Sequence, residues 1–563
     1  MNRIVLLSLL ACASAFLPAF AADYPEWGGS PSKNNVINDD DARKVPLTWN
    51  VGDFDFDTGH WQPAKSKNIR WVARLGSNSF GNPTVAGGRV FVGSNNERGY
   101  VKRFPGGKVD LGTLLCFDEK DGKFLWQYSA AKLATGDKHD YAATGICSSP
   151  LVIGDRVYVV TNRCEVVCLD VKGFYDGKND GVEDEANENM NEADVVWRFD
   201  MMKELGVEPV FMTASNITAL DAVLLIHTCN SADEKAQKIP KPDAPSFIAL
   251  TTEEKAIGPG AGRLRWKNNS PGANILHGSW SSPAMNPKRR EAYFAGGDAW
   301  LYAFDVPVDL QEAQDAVTSP SKPRFLWKFD CNRKTAVWKS RGEGDRTSVI
   351  GTPVVVNDRG YIATGQITEH ADTPAALICV DVAKARKFGG DVSEELVFNP
   401  KHDAGKTPIP HKRELAADLA AGDIVKQNPN SALAWRYTGE DLNKNGKLDV
   451  AEVFHRCIST VAVKDGLAFA VDMTGIIHCV DAKTGKAYWT HDMLAGSWSS
   501  PMIAGDRVYI CNDNGEVIVF ALAREKKVLA ENDMKETIYS TPVVANGVLY
   551  IMTKSRLFAI EAK

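Results

Sequence analysis

The chain has no Cys-x-x-Cys-His haem-attachment motif, no Cys-x-x-Cys metal pattern and no two neighbouring cysteines. Covalent haem and a short-spaced zinc cage are therefore excluded. Basic stripes are also missing: the formal net charge is −6, and Lys and Arg are spread along the chain. That distribution gives no nucleic-acid footprint. Spacing alone assigns neither a Ser-His-Asp set nor a pair of catalytic carboxylates. Long apolar runs are confined to the N-terminus, so no transmembrane segment is expected in the mature chain.

That N-terminal run reads as a processing signal. Arg3 precedes an almost wholly apolar stretch from Ile4 to Phe20, and Ala19-Phe20-Ala21 is a small-x-small cleavage site. Residues 1–21 are expected to leave as a signal peptide, placing the mature protein in the periplasm or outside the cell. Leu9-Leu10-Ala11-Cys12 loosely resembles a lipobox, but the apolar run continues past Cys12. An outer-membrane lipoprotein is the lesser alternative. Pro18 and the lack of a charged stop-transfer segment disfavour a retained anchor. Ten cysteines remain after cleavage; an oxidising compartment permits disulfides, but their spacing shows no small-domain framework.

What is present is a repeat. With 563 residues, 44% hydrophobic and 24% charged, the chain holds material for several domains, unless repeats account for the length. Ser459-Thr460-Val461, Ser499-Ser500-Pro501 and Ser540-Thr541-Pro542 recur 40 and 41 residues apart. Each is followed eight residues on by Phe469, Tyr509 or Tyr550, across a tight Gly- or Asn-bearing turn. This is strand, turn, strand. The same frame links Pro83 to Phe91, Pro150 to Tyr158, Ile217 to Leu225 and Pro353 to Tyr361, and Pro283 to Tyr293 with two extra turn residues. There are eight units.

A third strand follows in each unit, with a small residue at its centre: Cys116, Cys168, Ala249, Ala303, Cys379, Cys479 or Ala559, and Val519 in the seventh. The four cysteines read as small buried hydrophobes. A fourth strand carries Trp126, Trp197, Trp266, Trp327, Trp435 or Trp489, expected to pack between neighbouring sheets; the seventh unit has Val528-Leu529 instead. The eighth unit ends at Lys563 with no fourth strand, whereas an orphan strand with Trp71 precedes the first unit. Joining the two closes a ring and removes both open edges. The expected fold is all-β: an eight-bladed β-propeller of four-stranded antiparallel blades over residues 69–563, closed by an N-terminal strand. Residues 22–68 form a lead-in, and the longer early units place their surplus in loops.

Asp441 to Glu452 matches the twelve-residue calcium loop D-x-[DN]-x-[DN]-G-x5-E. Side-chain oxygens of Asp441, Asn443 and Asn445, the Lys447 carbonyl, Asp449 acting through water, and a bidentate Glu452 would surround one hard cation, with Gly446 making the sharp turn. A strand precedes the loop and one short helix follows, so this is a single inserted, structural Ca2+ loop. A weaker echo lies at Asp176 to Asn187, where Lys178 occupies a ligand position and Asn187 replaces the closing Glu.

The Ser-x-Pro strand start, the third strand with its small centre and Asp, and the turn Asp481-Ala482-Lys483-Thr484-Gly485-Lys486-Ala487-Tyr488-Trp489 resemble PQQ-type propeller repeats. Trp27-Gly28-Gly29 resembles the lead-in of exported bacterial members. The resemblance implies eight blades. It spans quinoprotein dehydrogenases, which hold pyrroloquinoline quinone and calcium in a central funnel, and non-catalytic platforms such as the outer-membrane assembly lipoprotein. The adjacent Cys-Cys common in the dehydrogenases is absent.

Residues just before each first strand are expected at the funnel mouth: Asn216, Trp280, Arg346, Arg456, Trp498 and Tyr539. A planar ligand such as pyrroloquinoline quinone would stack on Trp280 or Trp498, with Arg346 or Arg456 on its carboxylates. His277 and Glu369-His370 lie in nearby loops. The reading favours a periplasmic binding or scaffold protein with protein partners at a propeller face. The alternative is a quinoprotein dehydrogenase.

Overall fold

The computed structural model describes residues 22–562 apart from 38, 180–184, 186, 234–237, 253–261, 307–322, 340, 341 and 367–370. Eight sheets, each built on four antiparallel strands in radial order, form an eight-bladed propeller, and the sheets of blades 4 and 7 each carry a fifth strand that pairs parallel. Blades 1 to 7 start at Thr84, Leu151, Thr218, Ala284, Val354, Ala462 and Met502. Blade 8 takes three strands from the C-terminus, at Val543–Ala545, Val548–Met552 and Arg556–Ile560. Its outer strand is Ile69–Arg74, in register through Ala559 opposite Trp71. The ring closes as the orphan strand required.

The small residue at the centre of each third strand has a packing cause. In blade 5, Cys379 pairs with Tyr361 on one side and Trp435 on the other. The two large rings lean together over the small one, with centroids 6.0 Å apart. Blades 1, 2, 4, 6 and 8 repeat the arrangement, with centroids 5.8 to 6.0 Å apart. A larger central side chain would push both rings off their seats. In blade 7, Val519 does occupy this position, and its outer partner is Ala530. The outer strand bulges at the next position in every blade.

The tryptophans also join neighbouring blades. The indole N–H of Trp126 donates to the Val171 carbonyl of blade 2 at 3.3 Å, and that of Trp435 to the Ala482 carbonyl of blade 6 at 3.1 Å. Gly485 lies flat on the Trp435 ring at φ +75°, where a Cβ would come within 2.6 Å of the indole. The Thr-Gly turn is therefore a packing requirement as well as a turn preference. All ten described cysteines are buried and free of disulfides.

The lead-in runs across one face of the ring and touches the blades in turn. Ala22 accepts from Asn546 N of blade 8, Tyr24 pairs with Val85 of blade 1, and Pro25 accepts from Val152 N of blade 2. Glu26 accepts from Thr218 of blade 3, Pro31 and Ser32 from Met285 N and Val355 N of blades 4 and 5. Asn34 bonds Val463 of blade 6, and Val36–Ile37 runs parallel to the inner strand of blade 7. Inner strands offer their free edges to the axis, and this segment satisfies them. Lys33 and Glu26 form a buried ion pair inside the segment.

Two insertions depart from the blade frame. Residues 382–432, between the third and outer strands of blade 5, fold back so that Gly390–Asp391 pairs parallel to Trp327–Lys328 on blade 4. The loop 441–452 lies between the outer strand of blade 5 and blade 6. No helix among the described residues is long and apolar enough to cross a membrane.

Candidate functional site

A cavity of about 240 Å³ lies on the propeller axis. Two rings of side chains line it, each set by the repeat frame. Three residues before the reference position stand Phe80, Cys147, Ala214, Trp280, Ile350, Ile458, Trp498 and Tyr539, one per blade. This ring is apolar and lopsided. Phe80 stacks on Tyr539 at 5.1 Å, with Trp498 5.5 Å from Tyr539. Next to Phe80, blades 2 and 3 contribute only the small Cys147 and Ala214, and Trp280 of blade 4 stands across the ring from Tyr539 of blade 8.

One residue before the reference position stand Asn82, Ser149, Asn216, Ser282, Thr352, Thr460, Ser500 and Thr541. Their hydrogen bonds run around the axis. Asn82 N donates to Ser149 Oγ, Ser149 N to Asn216 Oδ1, and Asn216 N to Ser282 Oγ, at 2.6 to 3.0 Å. Thr352 N donates to Thr460, Thr460 N to Ser500, Ser500 N to Thr541, and Thr541 N to Asn82, at 2.6 to 3.1 Å. Between Ser282 and Thr352 the pattern changes: the Thr352 hydroxyl accepts from the Trp27 indole at 3.2 Å.

Trp27 is thus a plug, buried at one end of the channel. Gly28 and Gly29 make it possible. Both are left-handed, at φ +76° and +69°, and a Cβ on either would meet Lys33 backbone or the Tyr24 ring within 2.8 Å.

Of the six expected mouth residues, Asn216, Trp280, Trp498 and Tyr539 line this cavity together. Arg346 and Arg456 do not. Arg346 is fully buried and reaches Asp330 at 3.2 Å, and Arg456 is buried against the Gly342 and Gly344 carbonyls. Both arginines sit further back in their loops, outside the repeat phase, and their side chains turn away from the axis to buried oxygen acceptors. The fixed offset of three residues was the signal that separates them from the ring. Trp280 donates its indole N–H to the Met212 carbonyl at 3.0 Å and meets the His277 ring edge-on. Glu369 and His370 lie outside the described residues.

No Asp, Glu, Lys, Arg or His is among the described residues lining the cavity. Burial pushes the Cys147 thiol up to about 12, so it is not a thiolate nucleophile at neutral pH. The polar ring is already spent on its own hydrogen bonds. Pyrroloquinoline quinone is a planar tricarboxylate, which calls for cationic partners; this lining offers aromatic faces and neutral hydroxyls. The residues present do not fit that group.

The loop 441–452 is curled by its own polar side chains. Asp441 accepts from Asn445 N and Gly446 N, Asn443 Oδ1 from Asn445 N, and Asn445 Oδ1 from Lys447 N, at 2.8 to 3.1 Å. Lys444 and Gly446 are left-handed, at φ +59° and +85°. Buried Glu452 accepts from Leu442, Asn443 and Asp449 backbone N–H groups with its two oxygens. The Asp449 carboxylate holds the Asn443 and Asn445 amides at 2.7 and 3.0 Å and the Lys447 ammonium at 3.2 Å. Among the described residues no group of three or more His, Cys, Asp and Glu is gathered as a metal cage. The donors are all oxygen, which suits a hard cation. Most of the weaker echo, 180–184 and 186, lies outside the described residues.

Comparison with known proteins follows the repeat. The PQQ_2 family model, described as outer membrane protein assembly factor BamB, matches residues 60–196 and 420–522. BamB from Salmonella typhimurium and from Escherichia coli are each 24% identical over 93 residues, 16% of this chain and 23% of theirs. The match thus spans under a quarter of those relatives' length. Among solved structures, a europium-containing methanol dehydrogenase superposes with TM-score 0.53 at 9% identity, over 96% of this chain and 98% of its own. Quinohemoprotein alcohol dehydrogenase from Comamonas testosteroni gives 0.53 at 11%, over 96% and 81%. At such identities the likeness is one of fold. Eight closed blades, the aromatic–small–tryptophan seat in six of them and the matched repeats make this chain similar to the PQQ-type repeat β-propellers.

Proposed function

We propose that the protein is an exported, periplasmic binding and scaffold propeller that presents its faces and loops to protein partners. One observation carries this reading: the axial channel is plugged by Trp27, and the cavity left behind is lined only by apolar and neutral polar groups among the described residues. A propeller whose axis is filled by structure keeps its loops for binding. BamB is named an outer membrane protein assembly factor, and a partner role of that kind suits a platform of this shape. The N-terminal signal read from Arg3 to Ala21 supports export.

The test is titration of the purified protein with pyrroloquinoline quinone, with and without calcium, following quinone absorbance. The expected result is no saturable complex. A stoichiometric complex that oxidises alcohols or sugars with a dye acceptor overturns the scaffold reading in favour of a quinoprotein dehydrogenase.

We further propose that the 441–452 loop takes one structural Ca2+ through Asp441, Asn443, Asn445, the Lys447 carbonyl, Asp449 and Glu452. The ion would replace the hydrogen bonds that now hold Asp449. Calorimetry should give one site, and Glu452→Gln should weaken it at least about tenfold by removing a bidentate carboxylate. Unchanged stoichiometry and affinity in the variant would refute the assignment.

A further inference from the structure

A second cavity, of about 320 Å³, lies between blade 4 and the insertion from blade 5. That size falls within the range of small-molecule pockets, roughly 300–1,000 Å³. One wall is cationic and aromatic. The Lys334 and Lys328 ammoniums stand 4.1 and 4.6 Å from the centre of the same Trp300 ring. Buried Asp330 is shared between Lys334 at 2.8 Å and Arg346 at 3.2 Å. Lys328 has no ion-pair partner among the described residues, although Asp391 also lines the pocket. Three cations thus meet two carboxylates. Burial pushes a third carboxyl, Asp298, up to about 7, which removes much of its opposing charge.

The groups behind this wall are donors. Arg346 Nη2 and His411 Nε2 lie 3.2 Å apart. A guanidinium cannot accept, so His411 accepts at Nε2 and carries its proton on Nδ1. That Nδ1, the Trp300 Nε1 and the Arg346 Nε are buried with no hydrogen-bond partner among the described residues. Unmatched donors and an unpaired ammonium raise the local potential and favour an acceptor. The facing wall is apolar: Leu396, Val397 and Ile409, brought in by the insertion.

We propose that this pocket binds a small organic carboxylate, with its anionic group on Lys328 beside Lys334 and its apolar body against Leu396, Val397 and Ile409. Neither the axial cavity nor the scaffold reading is needed for this. A carboxylate there gains a charge-assisted bond in a half-desolvated setting, and the apolar wall selects against bare inorganic anions.

The experiment is calorimetric titration of the full mature chain with 3-phenylpropionate, its neutral amide and inorganic phosphate. The acid is expected to bind saturably, one per chain, and the amide about tenfold more weakly or worse. Lys328→Gln, at a partly exposed position, should weaken the acid by a similar factor. Ile409→Trp should block it by filling the cavity while leaving every charge in place. Equal binding of acid and amide, phosphate displacing the acid at equal concentration, unchanged binding in either variant, or no saturable heat up to about 10 mM would each overturn the proposal.

Discussion

Lys33→Met tests whether the lead-in is a clasp that closes the propeller. Lys33 is fully buried and its ammonium faces Glu26, itself 5% exposed. Methionine keeps the stem's packing but removes the charge. Glu26 would then keep one side-chain donor, the Thr218 hydroxyl at 2.8 Å. Removing one partner of a buried pair costs about 3–5 kcal/mol, because the remaining charge is uncompensated. The cost falls on the clasp. Backbone N–H groups of Val85, Val152, Met285 and Ile503 donate to residues 24–35. Their hydrogen exchange should accelerate by about 10²-fold to a few thousandfold, at a tenfold change per ~1.4 kcal/mol. Leu115, paired inside blade 1, is the internal control. The double variant Glu26→Gln, Lys33→Met should recover most of the loss, since neither charge is then stranded. Wild-type exchange at the four amides, or a double variant as damaged as the single one, would refute the reasoning.

Cys379→Leu should cost about 1–3 kcal/mol by forcing Tyr361 and Trp435 apart, whereas Cys379→Ala should cost less than about 1.5 kcal/mol; thermal unfolding separates them. Trp27→Ala should destabilise by about 3–5 kcal/mol through the enlarged axial cavity and the lost bond to Thr352, read by calorimetry. Asp472 gives a pH prediction. Burial opposes its ionisation, but hydrogen bonds from His455 at 3.0 Å and His478 at 3.4 Å more than offset this and hold its carboxyl below the usual 3.8. A depressed carboxyl contributes stability above its unfolded value and loses it as pH falls through the folded one. Melting temperature should therefore drop below about pH 4, and Asp472→Asn should flatten that slope; an unchanged slope would refute the assignment.

The sequence by itself determined the ring. Blade count, the eight-residue step to the aromatic, the small third-strand centre and the closing role of Trp71 all follow from local periodicity, because each blade is a local unit repeated in chain order. Of the six residues expected at the funnel mouth, Asn216, Trp280, Trp498 and Tyr539 line the axial cavity, at fixed offsets in the repeat frame. Tertiary structure alone decided what fills that axis. Trp27 reaches Thr352 across 325 residues, and no spacing in the chain encodes that meeting. Arg346 and Arg456 sit near first strands in sequence, yet buried oxygens turn their side chains away from the cavity. The Trp300 pocket likewise depends on an insertion folding back from blade 5 onto blade 4. Repeats are written in neighbouring residues; the neutrality of the axis and the charge of the second pocket arise from contacts between segments far apart in the chain.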